Sequence, residues 1–192
     1  MAEVLLFHHA CGRTEGVLAF ADRLREAGHV VHAPDLFDGH TFPSVELGVT
    51  HAQQVGFGAL LERGVAAAEG LPEAIVPIGF SLGVLPAQML AQTRPGVRAA
   101  VLAHSCVPPG EFADAWPEGV PVHVHAMDRD PWFVDEGDLE AAEQLVASTP
   151  DAELFLYPGD RHLFADSSLP SYDESAAGLM LQRVTALLDR VG

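Results

Sequence analysis

Compact runs rich in Val, Leu and Ile recur along the 192-residue chain at Val4–His8, His29–Ala33, Ala74–Gly79, Ala99–Ala103, Val120–Ala126 and Ala152–Tyr157, and they read as strands. Segments with helical spacing separate them. Val17, Leu18, Ala21 and Leu24 share a face, with Gly28 just past the end, and further helices are expected over Thr50–Ala68, Leu82–Gln92 and Leu139–Ala147. A last helix is expected to start at a capping box, Ser171 with Glu174, ahead of Ala177, Met180, Leu181, Val184 and Leu188. Regular alternation of strand and helix predicts an α/β fold around a mostly parallel, doubly wound sheet of about six strands. The length suits one domain, 1–192, and the 15 residues from Ser105 to Gly119 are too few for a separate lid domain.

Inside that alternation stands Gly79-Phe80-Ser81-Leu82-Gly83, after the apolar run Ala74–Ile78 and before a helical segment. A sharp strand-to-helix turn crowds its neighbours, so small residues are needed two before and two after the serine, whose hydroxyl then stands above the sheet as a nucleophile. The competing explanation is a helix-start turn in which Ser81 only caps. A serine hydroxyl is a weak nucleophile near neutral pH, so partners decide between the two: a histidine base, and a carboxylate to fix that histidine's tautomer.

Both partners are expected after the serine, acid first and histidine last. The run VPVHVHA leads into Met127-Asp128-Arg129-Asp130-Pro131, on a loop at the carboxyl end of a strand, where sites gather in such sheets. Asp128 and Asp130 compete. Pro131 would stiffen the loop behind Asp130, and the extra residues give it reach, so Asp130 is preferred, with Asp128 as the alternative. After the last strand, Pro158-Gly159-Asp160-Arg161-His162 carries the only histidine that follows Asp130. Backbone N–H groups complete the expected site as an oxyanion hole, one from Leu82 and one from Ala10 in the loop His8-His9-Ala10-Cys11-Gly12. These residues together predict an acyl-transfer hydrolase.

LLFHHACG, FADRLREAGHVVHAPDLFDG, IGFSLG, AMDRDPWF, YPGDRHLFAD and the terminal YDESAA, in this order and spacing, resemble the dienelactone hydrolase family of the α/β-hydrolase fold over nearly the whole chain. The resemblance implies strand order 2-1-3-4-5-6, and it selects Asp130 over Asp128. It also shows departures. The founding enzymes carry a cysteine where Ser81 stands, an arginine at the position of Asp166, and a glutamate at the position of His9. A dienelactone is thus not the expected substrate; a small, neutral, partly apolar ester or lactone is. A hydrolase-fold binding module without turnover is the alternative.

Charge bounds the partners. All ten basic residues are arginines, against 27 Asp and Glu, for a net charge of −17 that repels phosphate backbones and anionic membranes. No nucleic acid or membrane partner is expected; self-association is left open. The start, MAEVLLFHHACG, lacks the basic region of a signal peptide, and Pro77, Pro86, Gln88 and Gln92 interrupt the longest uncharged stretch, Ala74–Thr93. Cys11 and Cys106 form no CxxC and are expected too far apart to pair, which suits a reduced, cytoplasmic protein; Cys11 reads as a small buried hydrophobe more readily than as a reactive thiol.

No cofactor is expected, because G-x-G-x-x-G does not follow the first strand, and no metal, because His123 and His125 share a strand face with no carboxylate placed to join them. Phe42, Phe112, Trp116, Trp132 and Phe164 are candidates for pocket walls or for core. Pro86, inside the helix after the serine, predicts a kink or a late helix start.

Overall fold

Each apolar run of the sequence becomes a strand, and every pairing between them is parallel. The computed structural model describes residues 1–192. Its strands are β1 (Glu3–Phe7), β2 (Val30–His32), β3 (Val76–Phe80), β4 (Ala100–Ala103), β5 (Val122–Met127) and β6 (Ala152–Tyr157), in the order β2-β1-β3-β4-β5-β6. The helices are α1 (Glu15–Glu26), α2 (Val45–Val55), α3 (Phe57–Ala66), α4 (Val84–Thr93), α5 (Pro131–Val134), α6 (Asp138–Ser148) and α7 (Glu174–Val191).

Side chains alternate across a strand, so a parallel sheet covered on both sides yields two cores. Val4, Leu6, Ile78, Phe80 and Val101 pack with Val17, Phe20 and Leu24 of α1 and Met180, Val184 and Leu188 of α7. Leu5, Phe7, Leu102, Val122 and Val124 pack on the opposite side with Leu60 of α3, Val84, Ala87 and Leu90 of α4, and Ala142 and Leu145 of α6. Burying a side chain such as Leu5 or Ile78 contributes roughly 1.5–3 kcal/mol. Parallel strands with one winding bring all six carboxyl ends to the same edge, which is where the candidate loops emerge.

Local chemistry alters three expected boundaries. The single helix expected over Thr50–Ala68 is two, because Gly56 adopts φ 92°, a left-handed conformation that ends α2 and starts α3. Ser171 and Glu174 form no capping box; Asp173 caps α7 instead, its carboxylate accepting the Ala176 N–H at 3.0 Å, so the helix begins two residues later than expected. Pro86 is accommodated by a late start: a 3₁₀ turn occupies Ser81–Gly83 and α4 opens at Val84, leaving Pro86 in the first turn, where a missing N–H costs nothing. No helix is long and apolar enough to cross a membrane.

Candidate active site

Ser81 immediately follows β3, and its backbone adopts φ 49°, a strained conformation for a residue with a side chain. The turn is held by close backbone approach on both sides. A methyl group on Gly79 would stand 2.4 Å from the Gly83 carbonyl oxygen, and one on Gly83 would stand 2.5 Å from the Phe7 carbonyl oxygen of β1. Glycine is required at both places, which accounts for the spacing around the serine.

Three loops converge on this turn. His162 Nε2 lies 3.0 Å from Ser81 Oγ, and His162 Nδ1 lies 2.7 Å from Asp130 Oδ2, although the residues are 81 and 32 positions apart in the chain. The carboxylate next to Nδ1 fixes the tautomer: Nδ1 carries the proton and donates it to Asp130, so Nε2 presents a lone pair to the serine hydroxyl. Asp130 is fully buried, and its other oxygen accepts the Trp132 N–H at 3.0 Å as the cap of α5, with Pro131 in the first helical position. Helix, proline and carboxylate thus hold one another.

Asp128, the rival acid, faces another way. Its Oδ1 accepts the Gly159 N–H at 2.9 Å, while its own N–H donates to the Tyr157 carbonyl at 2.8 Å and Arg129 N–H to the Gly159 carbonyl at 2.9 Å. These bonds carry the pairing of β5 with β6 beyond the strands, fastening the loop of Asp130 to that of His162. Asp128 ties the two loops together without touching His162.

The loop after β1 lies alongside. Ala10 N–H makes no hydrogen bond within the chain, whereas its neighbours are tied down: Cys11 N–H donates to His9 Nδ1 at 3.2 Å and Gly12 N–H to the His9 carbonyl at 3.0 Å. Leu82 occupies the 3₁₀ turn directly after the serine. Helix α2 presses on this loop through Gly48, where a methyl group would stand 1.9 Å from the Ala10 carbonyl oxygen.

The roles of three buried histidines near the site are not legible in the sequence. His9 Nε2–H donates to Asp166 Oδ2 at 2.7 Å, both side chains being fully buried. Asp166 also accepts from the hydroxyl of Thr14, the hydroxyl of Ser168 at 2.6 Å and Ser168 N–H at 2.8 Å. Burial alone would raise the Asp166 pKa, but donors from His9, Ser168 and Thr14 outweigh it and hold the carboxyl at about 2. Burial lowers the pKa of His9, which is therefore a neutral donor beside a carboxylate. His8 is likewise neutral, lowered by burial to about 4, its Nδ1–H on the His9 carbonyl at 2.8 Å and its Nε2 accepting Leu36 N–H at 3.0 Å.

His104, directly after β4, packs edge-on against Phe80, His162 and Phe164, with ring centroids 5.7, 5.8 and 4.7 Å away. Neither of its nitrogens has a partner, and burial drives its pKa far down, so a neutral ring stands beside His162. No sequence signal marks these pairings, since nothing local reports what a residue 157 positions distant will supply.

Of the aromatic candidates only Trp132 lines the open space around His162, at 5.8 Å between ring centroids. Phe164 and Trp116 are buried in the two cores, and Phe42 packs against one of them; Phe112 lines neither cavity. Both cysteines are unpaired and buried, and burial pushes each thiol up to about 12, so Cys11 holds no thiolate near neutral pH. His123 and His125 point toward α7: His125 Nδ1 lies 2.9 Å from the Tyr157 hydroxyl and its ring stacks on Phe155, while His123 Nε2 lies 3.3 Å from Glu153.

Comparison with known proteins agrees with this architecture. The model of the "Dienelactone hydrolase family" matches residues 1–192. Among solved structures, a dienelactone hydrolase-like promiscuous phosphotriesterase from metagenomic libraries superposes with a TM-score of 0.76 at 20% identity, over 100% of this chain and 87% of that one. A cold-adapted esterase from an Arctic intertidal metagenomic library does so with a TM-score of 0.65 at 17% identity, over 97% of this chain and 82% of the other. TT1662 from Thermus thermophilus gives 0.66 at 20% identity, covering 98% and 88%. No curated protein matches by sequence. The match over its whole length, on a sheet of six parallel strands in the order 2-1-3-4-5-6, places this chain in the dienelactone hydrolase family.

Proposed function

We propose that the protein is a serine hydrolase that cleaves a small carboxylic ester or lactone through an acyl-enzyme intermediate. The observation that carries this reading is the hydrogen-bonded row from Ser81 through His162 to Asp130 on a strained turn at the carboxyl edge of the sheet. Ser81 Oγ attacks the carbonyl carbon while His162 Nε2 takes its proton, and Asp130 stabilises the imidazolium that forms. The N–H groups of Leu82 and Ala10 receive the oxyanion; that Ala10 N–H lacks a partner within the chain supports this role. His162 returns the proton to the departing alcohol oxygen, and water then attacks the acyl-enzyme with the same base.

The thiol of Cys11, held protonated by burial, supports Ser81 rather than a cysteine as the nucleophile. Two unpaired, buried cysteines support a reducing compartment, the cytoplasm. The test is direct. A fluorophosphonate probe should label wild-type protein at Ser81, and Ser81→Ala should lower turnover of an activated ester by at least ~10³-fold. Unlabelled, inactive wild type would instead make the chain a binding module built on the hydrolase fold.

A further inference from the structure

We infer that the cavity beside Ser81 selects esters that carry a positive charge and rejects anionic ones; this rests on the ester-hydrolase reading above. Two open cavities, of about 240 and 410 Å³, meet at Trp132 and His162. Glu136 and Asp138 line the one that contains Ser81, and Glu46 and Asp160 line the other. None of the ten arginines lines either cavity, the chain has no lysine, and none of the four carboxylates is engaged in a salt bridge.

Asp138 is the fixed member of the group. It opens α6, and its Oδ2 accepts the Cys106 N–H at 3.2 Å, so the carboxylate stays at the cavity wall. Trp132 adds an aromatic face between the two cavities, and an aromatic ring next to carboxylates is the combination that holds an ammonium group. His104 in the same wall is a neutral imidazole with no hydrogen-bond partner, so it offers no positive charge to an anion. Asp166, on the loop leaving His162, is turned wholly into the core and adds no charge to either cavity. The net charge of −17 works in the same direction, concentrating cations around the protein and repelling anions.

Three p-nitrophenyl esters of matched chain length test this on the wild-type protein: the trimethylammonio-butanoate, its uncharged tert-butyl isostere, and the anionic hemiglutarate. At low ionic strength kcat/KM should be at least ~5-fold higher for the cationic ester than for its isostere, and at least ~10-fold lower for the anionic one. Added salt should compress the series, as should the double variant Glu136→Gln with Asp138→Asn, in which the amide still accepts the Cys106 N–H. Equal rates for cationic ester and isostere, or an anionic ester as fast as the isostere, would overturn the inference while leaving the hydrolase intact. A fluorophosphonate-labelled Ser81 without turnover of the cationic ester also overturns it. No turnover of any of the three with Ser81 unlabelled defeats the ester-hydrolase reading, and the inference with it.

Discussion

His9 and Asp166 form a fully buried pair at 2.7 Å that ties the loop after β1 to the loop after His162. His9 precedes Ala10, and its other ring nitrogen accepts the Cys11 N–H, so the pair clamps both neighbours of the amide proposed to receive the oxyanion. Thr14, the cap of α1, donates to the same carboxylate, and that helix therefore joins the clamp.

Asp166 accepts four donors, and an asparagine there would turn an NH₂ group toward some of them. Asp166→Asn should destabilise the protein by about 1–3 kcal/mol, read from urea unfolding. It should also lower kcat on an activated ester by at least ~10-fold with KM little changed, because an amide displaced from the oxyanion affects the transition state more than substrate binding. A raised KM at constant kcat would remove His9 and Asp166 from that role.

The two aspartates of the β5 loop should behave differently. Asp130→Asn keeps the size of the side chain but can hold His162 in the wrong tautomer, and a loss of ~10³–10⁴-fold in kcat is expected. Asp128→Asn should cost less than ~10-fold, since its oxygen can still accept the Gly159 N–H. Steady-state kinetics on both variants check this, and comparable losses would contradict the assignment.

Acid should destabilise the fold in two windows. An unfolded histidine takes up its proton near pH 6.5, while His8 stays neutral until about 4 because of burial; the unfolded state therefore binds more protons and stability falls as pH drops through that interval. The full loss from His8 is about 3 kcal/mol, and His104 and His125, whose pKa values burial also lowers, add to it. Asp166 acts below that range: its folded pKa is depressed to about 2, so its contribution of about 2 kcal/mol is present above pH 4 and disappears as pH falls through 2. Urea unfolding at pH 7.5, 6 and 5 should show a steady decline, and a flat profile would contradict it.

Glycines of the same type should give opposite results. Gly83→Ala places a methyl group 2.5 Å from the Phe7 carbonyl and 2.7 Å from that of His8, both backbone atoms, and should cost more than ~3 kcal/mol or abolish folding. Gly178, on the exposed side of α7, has open space where an alanine methyl group would stand, with nothing within 4 Å; Gly178→Ala should stabilise by about 0.5–1 kcal/mol. Thermal unfolding of the two variants distinguishes them.

The six strands, the serine turn and the convergence of Ser81, Asp130 and His162 in one hydrogen-bonded row were all legible in the amino-acid sequence. Each is written locally: apolar runs of strand length, glycines two residues on either side of Ser81, and turn residues after a strand. Sequence preferred Asp130 over Asp128, from Pro131 and the family resemblance, but tertiary structure alone showed what holds Asp128 away from His162, what His9 and Asp166 do, and which aromatic reaches the cavity. Asp128 and Asp130 have the same chemistry two residues apart, and only the pairing of Asp128 with Gly159, 31 positions away, sends one to the loop and leaves the other to the histidine. Gly56 and Asp173 lie between these extremes, since a helix pattern continues through a glycine in sequence but not through its left-handed backbone, and two nearby side chains can compete for one helix end. A parallel sheet brings distant loops to one edge, so the partners of its buried polar groups are fixed by three-dimensional proximity, which no window of neighbouring residues contains.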